Sequence, residues 1–135
     1  MGYSKEEQKK NREMWVAALR SGKYKQGKGC LFDGENHCCL AVASEVYAED
    51  TGNGKFVLED GGYYFVEGNS CSKNYLIASV MDYFGLSTMR GDFKTNVETE
   101  YVYYKNLSSI NDNGKTFEEI ADVIESEPEG LCITS

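Results

Sequence analysis

Two capping boxes bracket this chain, Ser4-Lys5-Glu6-Glu7 near its start and Thr116-Phe117-Glu118-Glu119 near its end. In each, a hydroxyl residue and a following glutamate can satisfy one another's backbone N–H groups, which starts a helix. The first helix is expected to run to Ser21, with Gly22 as its stop. Met14 and Ala18, and likewise Trp15 and Leu19, stand four apart and form its inward stripe, whereas the Lys- and Glu-rich turns before them are expected in solvent. The last helix turns Phe117, Ile120, Ala121 and Ile124 inward and ends before Pro128. With helices fixed at both ends, the middle of the chain must supply any sheet.

That middle alternates between the two kinds of element. Cys30-Leu31-Phe32 and Asn36-His37-Cys38-Cys39 flank Asp33-Gly34 and predict a short hairpin. From Cys39 to about Asp50, apolar residues recur at helical spacing until Gly52, so a second, largely buried helix follows. Phe56-Val57-Leu58 and Tyr63-Tyr64-Phe65-Val66 are β-formers around the turn Glu59-Asp60-Gly61-Gly62. Ser70 or Ser72 is expected to cap a third helix with Leu76, Ile77, Val80, Met81 and Phe84 on its core face, ending at Gly85. Met89-Arg90-Gly91-Asp92 is expected as loop, Val97 to Tyr104 as an edge strand, and Asn111-Asp112-Asn113-Gly114 as a turn. The expected fold is therefore α+β, about four helices packed on small antiparallel β-hairpins in a single domain over residues 1–135, with the two ends closing on one another.

The basic stretch Arg20 to Gly29 suggests a ligand. No acid occurs between Glu13 and Asp33, so Arg20, Lys23, Lys25 and Lys28 give that window +4, while the rest of a chain of net charge −8 carries −12. Glycines let backbone N–H groups approach an anion, lysines neutralise it, Tyr24 offers a ring for stacking, and Gln26 can bond to a base edge. Asn111, Asp112 and Thr116 precede the last helix, where an anion or sugar could sit. The same residues also describe a solvated connector and a turn with its cap.

The overall charge opposes association with polyphosphate backbones, so neither DNA nor RNA is an expected partner. No run of about 18 apolar residues occurs and the first residues lack a secretory core, so no membrane partner and a cytoplasmic location are expected. Five cysteines, two of them adjacent, cannot all pair within one chain and are expected as reduced thiols. Their spacing lacks the two-residue-spaced pair of zinc sites, so neither a metal nor any other cofactor is expected. His37, the one histidine, could serve Cys30 or Cys39 as a base, but no catalytic set stands out.

The run Trp15-Val16-Ala17-Ala18-Leu19-Arg20-Ser21-Gly22-Lys23-Tyr24-Lys25-Gln26-Gly27-Lys28-Gly29, together with Cys38-Cys39-Leu40-Ala41-Val42, Leu107 and Asn111 to Asp122, resembles a family of short accessory proteins of tailed phages and prophages. This chain has Ala41 where that family has glycine. The resemblance implies an accessory protein in the host cytoplasm, of a size and acidity shared by inhibitors of host defence, some of which sequester nucleotide messengers. The expected ligand is thus a small, nucleotide-derived anion held by Arg20, Lys23, Tyr24, Lys25, Gln26, Lys28, Asn111, Asp112 and Thr116, with self-association left open. Two alternatives stand beside it. One is an inhibitor of a host protein using Glu98, Glu100, Asp122, Glu125, Glu127 and Glu129; the other is a small hydrolase using the His37-Cys38-Cys39 segment.

Overall fold

The computed structural model describes residues 2–95 and 103–133. Helix α1 (Lys5–Arg20) starts at its capping box, Ser4 Oγ accepting from Glu7 N at 3.1 Å and Glu7 Oε1 from Ser4 N at 2.9 Å. Trp15 and Leu19 are buried as expected, and Val16 is buried beside them. The first half of the helix is not all in solvent, however, because Gln8, Asn11 and Arg12 are buried as well. Helix α2 (Cys39–Thr51) is buried throughout residues 39–44 and ends at Gly52, whose φ of 75° is the left-handed stop.

Strands β1 (Lys55–Glu59), β2 (Gly62–Glu67) and β3 (Ser70–Ser72) form an antiparallel sheet in that order, with Val57 opposite Tyr64 and Val66 opposite Cys71. Ser70 and Ser72 therefore belong to a strand and do not cap a helix. Ser72 Oγ instead accepts from Tyr75 N at 3.1 Å, making a turn, and α3 (Ala78–Phe84) begins only after Ile77. Its C-terminal carbonyls explain the buried polar face of α1. Gln8 Nε2, Asn11 Nδ2 and Arg12 Nη1 donate to the carbonyls of Asp82, Tyr83 and Phe84 at 2.8, 2.7 and 2.6 Å, supplying partners that a helix end lacks.

Strand β4 (Asp92–Thr95) pairs with β5 (Tyr103–Asn106); of the expected strand from Val97 to Tyr104, only Tyr103 and Tyr104 fall within the described residues. A fifth helix, α4 (Leu107–Asp112), takes in the first half of the expected turn, since Asn106 accepts from Ser109 N at 2.7 Å and caps it. Helix α5 (Phe117–Ser126) opens on the second capping box and buries Phe117, Ile120, Ala121 and Ile124. The result is an α+β fold in which both ends of the described chain reach α3. Tyr3 meets the Tyr83 ring edge-on at 5.2 Å, and Ile133 N donates to the carbonyl of Gly85, the C-cap of α3, at 2.8 Å.

Candidate ligand-binding site

The basic stretch is tied down along His37. His37 N donates to Lys25 O at 2.7 Å and Gly27 N to His37 O at 2.8 Å, which lays the loop parallel to the His37 segment. On the other side, Phe32 pairs with His37 and Cys38 N donates to Leu31 O at 2.8 Å. The expected hairpin thus survives as a turn with one bridged pair. Asp33 Oδ1 closes it by accepting from Glu35 N and Asn36 N at 3.0 and 2.7 Å. Gly27 has to be glycine here, because a Cβ would stand 2.8 Å from Asn36 Cβ.

The loop also meets the α4–α5 turn, so the two predicted half-sites come together. Asn111 is fully buried, its Oδ1 accepting from Cys39 N at 3.2 Å and from Gln26 Nε2 at 2.9 Å, while its Nδ2 donates to Gly27 O at 2.8 Å. Gln26 Nε2 also donates to Lys115 O at 2.7 Å, and Asp112 Oδ1 accepts from Gly29 N at 3.0 Å. Thr116 is occupied in the capping box of α5. The polar groups of this assembly satisfy one another, and the anion bonded to the Gly29 amide is the protein's own Asp112 carboxylate. Arg20 points elsewhere, pairing with Glu118, Asp122 and Glu125 of α5 at 3.3, 2.5 and 3.3 Å. Lys25 and Lys28 are exposed and form no ion pair among the described residues.

Asp112 lines a cavity of about 190 Å³ with Gly29, Cys38 and Arg90, whereas Lys23 and Tyr24 reach a different one. A groove of about 580 Å³ runs between α1 and α2, floored by Met14, Ala17, Ala18 and Val46. Lys23, Tyr24 and Ser21 form one lip, Glu49 and Asp50 the other. Lys23 Nζ lies 5.4 Å from the centre of the Tyr24 ring and 3.5 Å from Glu49 Oε2. Burial pushes the Tyr24 phenol up, with Lys23 opposing and Glu45 and Glu49 adding to the rise. The Tyr24 ring is braced from behind by His37, edge-on at 4.8 Å. Met14 and Ala18 were expected in the core stripe. Both are only half-buried and line the groove, whereas Trp15 and Leu19 of that stripe are buried in the core together with Val16. The residues missed on the α2 side, Val46, Glu49 and Asp50, follow that helix's spacing without any signature of their own.

The cysteine segment does not assemble a nucleophile and base. His37 Nε2 lies 2.9 Å from Glu45 Oε2, and its buried Nδ1 has no hydrogen-bond partner among the described residues. Burial pushes the Cys38 thiol up to about 11, and raises Cys39, Cys30 and Cys132, so none of the four is favoured as a thiolate at neutral pH. Cys39 Sγ donates to Leu107 O at 3.4 Å. Among the described residues no three His, Cys, Asp or Glu side chains gather to hold a metal ion, and no helix is long and apolar enough to cross a membrane. The acids that an inhibitor would present are engaged within the chain. Asp122 and Glu125 hold Arg20, Glu127 holds Arg12, and Glu129 holds Lys94, while Glu98 and Glu100 lie outside the described residues.

Fold and groove together define a small α+β domain with an open, apolar-floored cleft beside a clamped basic loop. The chain belongs to the family described as Domain of unknown function (DUF8296), whose model matches residues 7–128. No curated protein and no solved structure matches it significantly.

Proposed function

We propose that this chain is a binding protein that sequesters a small, planar, nucleotide-derived anion in the groove between α1 and α2, and that it serves a phage as an anti-defence accessory protein in the host cytoplasm. The observation that carries the binding part is the lip formed by Lys23 and Tyr24 over an apolar floor. Small-molecule sites combine an apolar lining with a few polar groups in cavities of roughly 300–1,000 Å³, and this groove falls in that range. The short side chains of Ala17 and Ala18 leave a flat surface for a ring, and Tyr24 can stack against it. Lys23 and Glu49 are both well exposed, so their pair is weak and Lys23 can exchange Glu49 for a phosphate. Glu49 and Asp50 are then acceptors for sugar hydroxyls or an exocyclic amine. Lys25 and Lys28 add positive potential without a direct contact in the groove. The phage setting rests on the resemblance of the Trp15–Gly29 and Asn111–Asp122 segments.

Heating the purified protein and analysing what it releases tests sequestration, with an intact nucleotide as the expected product. A converted nucleotide would indicate turnover instead. Titration of a nucleotide panel localises the site: Lys23→Ala and Tyr24→Ala should each weaken binding by about tenfold or more, and Tyr24→Phe should be almost harmless because the ring is retained. Absence of any nucleotide binding, or binding indifferent to both alanine variants, would refute this function for the groove.

A further inference from the structure

Strand β1 is one edge of the three-stranded sheet, and the three-residue β3 is the other. It has no proline and no bulge, and its pairing with β2 is continuous from Lys55 opposite Val66 to Glu59 opposite Gly62. The connecting residues Asp60 and Gly61 both have positive φ, 49° and 79°, the two-residue turn whose flanking residues exchange both backbone hydrogen bonds. Counting back from Glu59, Val57 and Lys55 also bond to β2. Phe56 and Leu58 therefore direct their N–H and C=O groups outward. Among the described residues these outward groups have no partner, and Leu58, 60% exposed, is the most exposed large apolar side chain.

The sequence of this edge is complementary to itself. In Lys55-Phe56-Val57-Leu58-Glu59, reversal about Val57 brings lysine opposite glutamate at both ends and Phe56 opposite Leu58 between them. Lone edge lysines normally discourage strand addition, but here each lysine would meet a carboxylate. We infer that β1 is a homodimerisation edge, pairing antiparallel with β1 of a second copy about a two-fold axis through Val57. Phe56 and Leu58 of the partner copy then form the hydrogen-bonded pairs, exchanging the N–H···O bonds that each edge leaves open. On one face Leu58 is covered by the other copy's Phe56, and on the opposite face Lys55 meets Glu59. The product is a continuous six-stranded sheet in the order β3-β2-β1-β1-β2-β3, with the isologous contact typical of two-fold dimers. A contact of one short strand is small, so the dimer should dissociate on dilution.

Sedimentation velocity of the full chain at physiological salt, over roughly micromolar to millimolar concentrations, reads the association. Wild type should pass from monomer to dimer. Lys55→Glu and Glu59→Lys should each be monomeric alone, since each places like charges opposite one another, yet an equimolar mixture of the two variants should form a heterodimer. The double variant Lys55→Glu/Glu59→Lys should recover the homodimer. Leu58→Pro, which removes an outward N–H that β2 does not use, should abolish association in every background while circular dichroism stays native. A wild-type chain that is monomeric throughout would overturn the inference. So would a dimer indifferent to both reversals, or single variants that fail to pair when mixed.

Discussion

Asn111 shows how one side chain can replace an expected ligand. Its amide bonds to the Cys39 N–H at the start of α2 and to Gln26 and the Gly27 carbonyl of the basic loop, so it ties the end of α4 to two segments far from it in sequence. Asn111→Ala would leave the Cys39 N–H and the Gly27 carbonyl unpaired, and should lower unfolding stability by about 2–4 kcal/mol, read from urea denaturation. Asn111→Asp should not rescue it, because an oxygen would then face the Gly27 carbonyl. A nearly neutral alanine variant would mean that water or a loop shift satisfies both groups. Asn111 was legible in the sequence as a polar residue at a helix boundary and as part of the predicted site. Its burial was not, because an Asn-Asp-Asn-Gly run is ordinary turn chemistry and burial depends on what packs above it.

At the scale of elements, the packing of α1 against α5 and α3 is decided by polar groups as much as by the apolar stripe. Arg20 was expected to bind a ligand, yet it faces Glu118, Asp122 and Glu125, spaced to share one face of α5. Arg20→Ala removes the common partner of three carboxylates. It should lower the thermal midpoint, by less in high salt, where their mutual repulsion is screened. Ligand affinity in the α1–α2 groove should be unchanged, and a loss of affinity would return Arg20 to the site. On the opposite flank, Gln8, Asn11 and Arg12 recur at i, i+3 and i+4, the spacing of one helical face. The periodicity was visible, but polar residues at that spacing read as a solvated face unless the carbonyls they cap are known.

Across the whole molecule, opposing sets of ionisable groups fix the pH range of stability. Hydrogen bonds from the caps hold the Glu7 and Glu119 carboxyls below their ordinary value of 4.5, and backbone donors do the same for Asp33. A depressed folded pKa gives stability that is present above the unfolded value and is lost as pH falls through the folded one. Burial of Cys38, pushed up to about 11 from 9.0, acts in reverse, and so do burial and the Asp50 carboxylate on Tyr83. Their contribution is present below the unfolded values and is lost as pH rises through the raised ones. Urea midpoints measured across the pH scale should therefore form a plateau between about pH 5 and pH 8, falling on both sides, with Glu119→Gln softening the acid limb. A maximum below pH 4.5 would contradict this account. By itself the sequence determined the helices that carry their own start and stop signals, the tight β1–β2 turn, the α+β class and the chemical character of the basic loop, because each rests on residues within a few positions of one another. The tertiary structure alone decided that Ser70–Ser72 is a strand, that α4 exists, that Asp112 bonds to the loop's Gly29 amide, and that Lys23 and Tyr24 reach the groove. These depend on hydrogen bonds and burial between distant segments, for which no local pattern is a substitute.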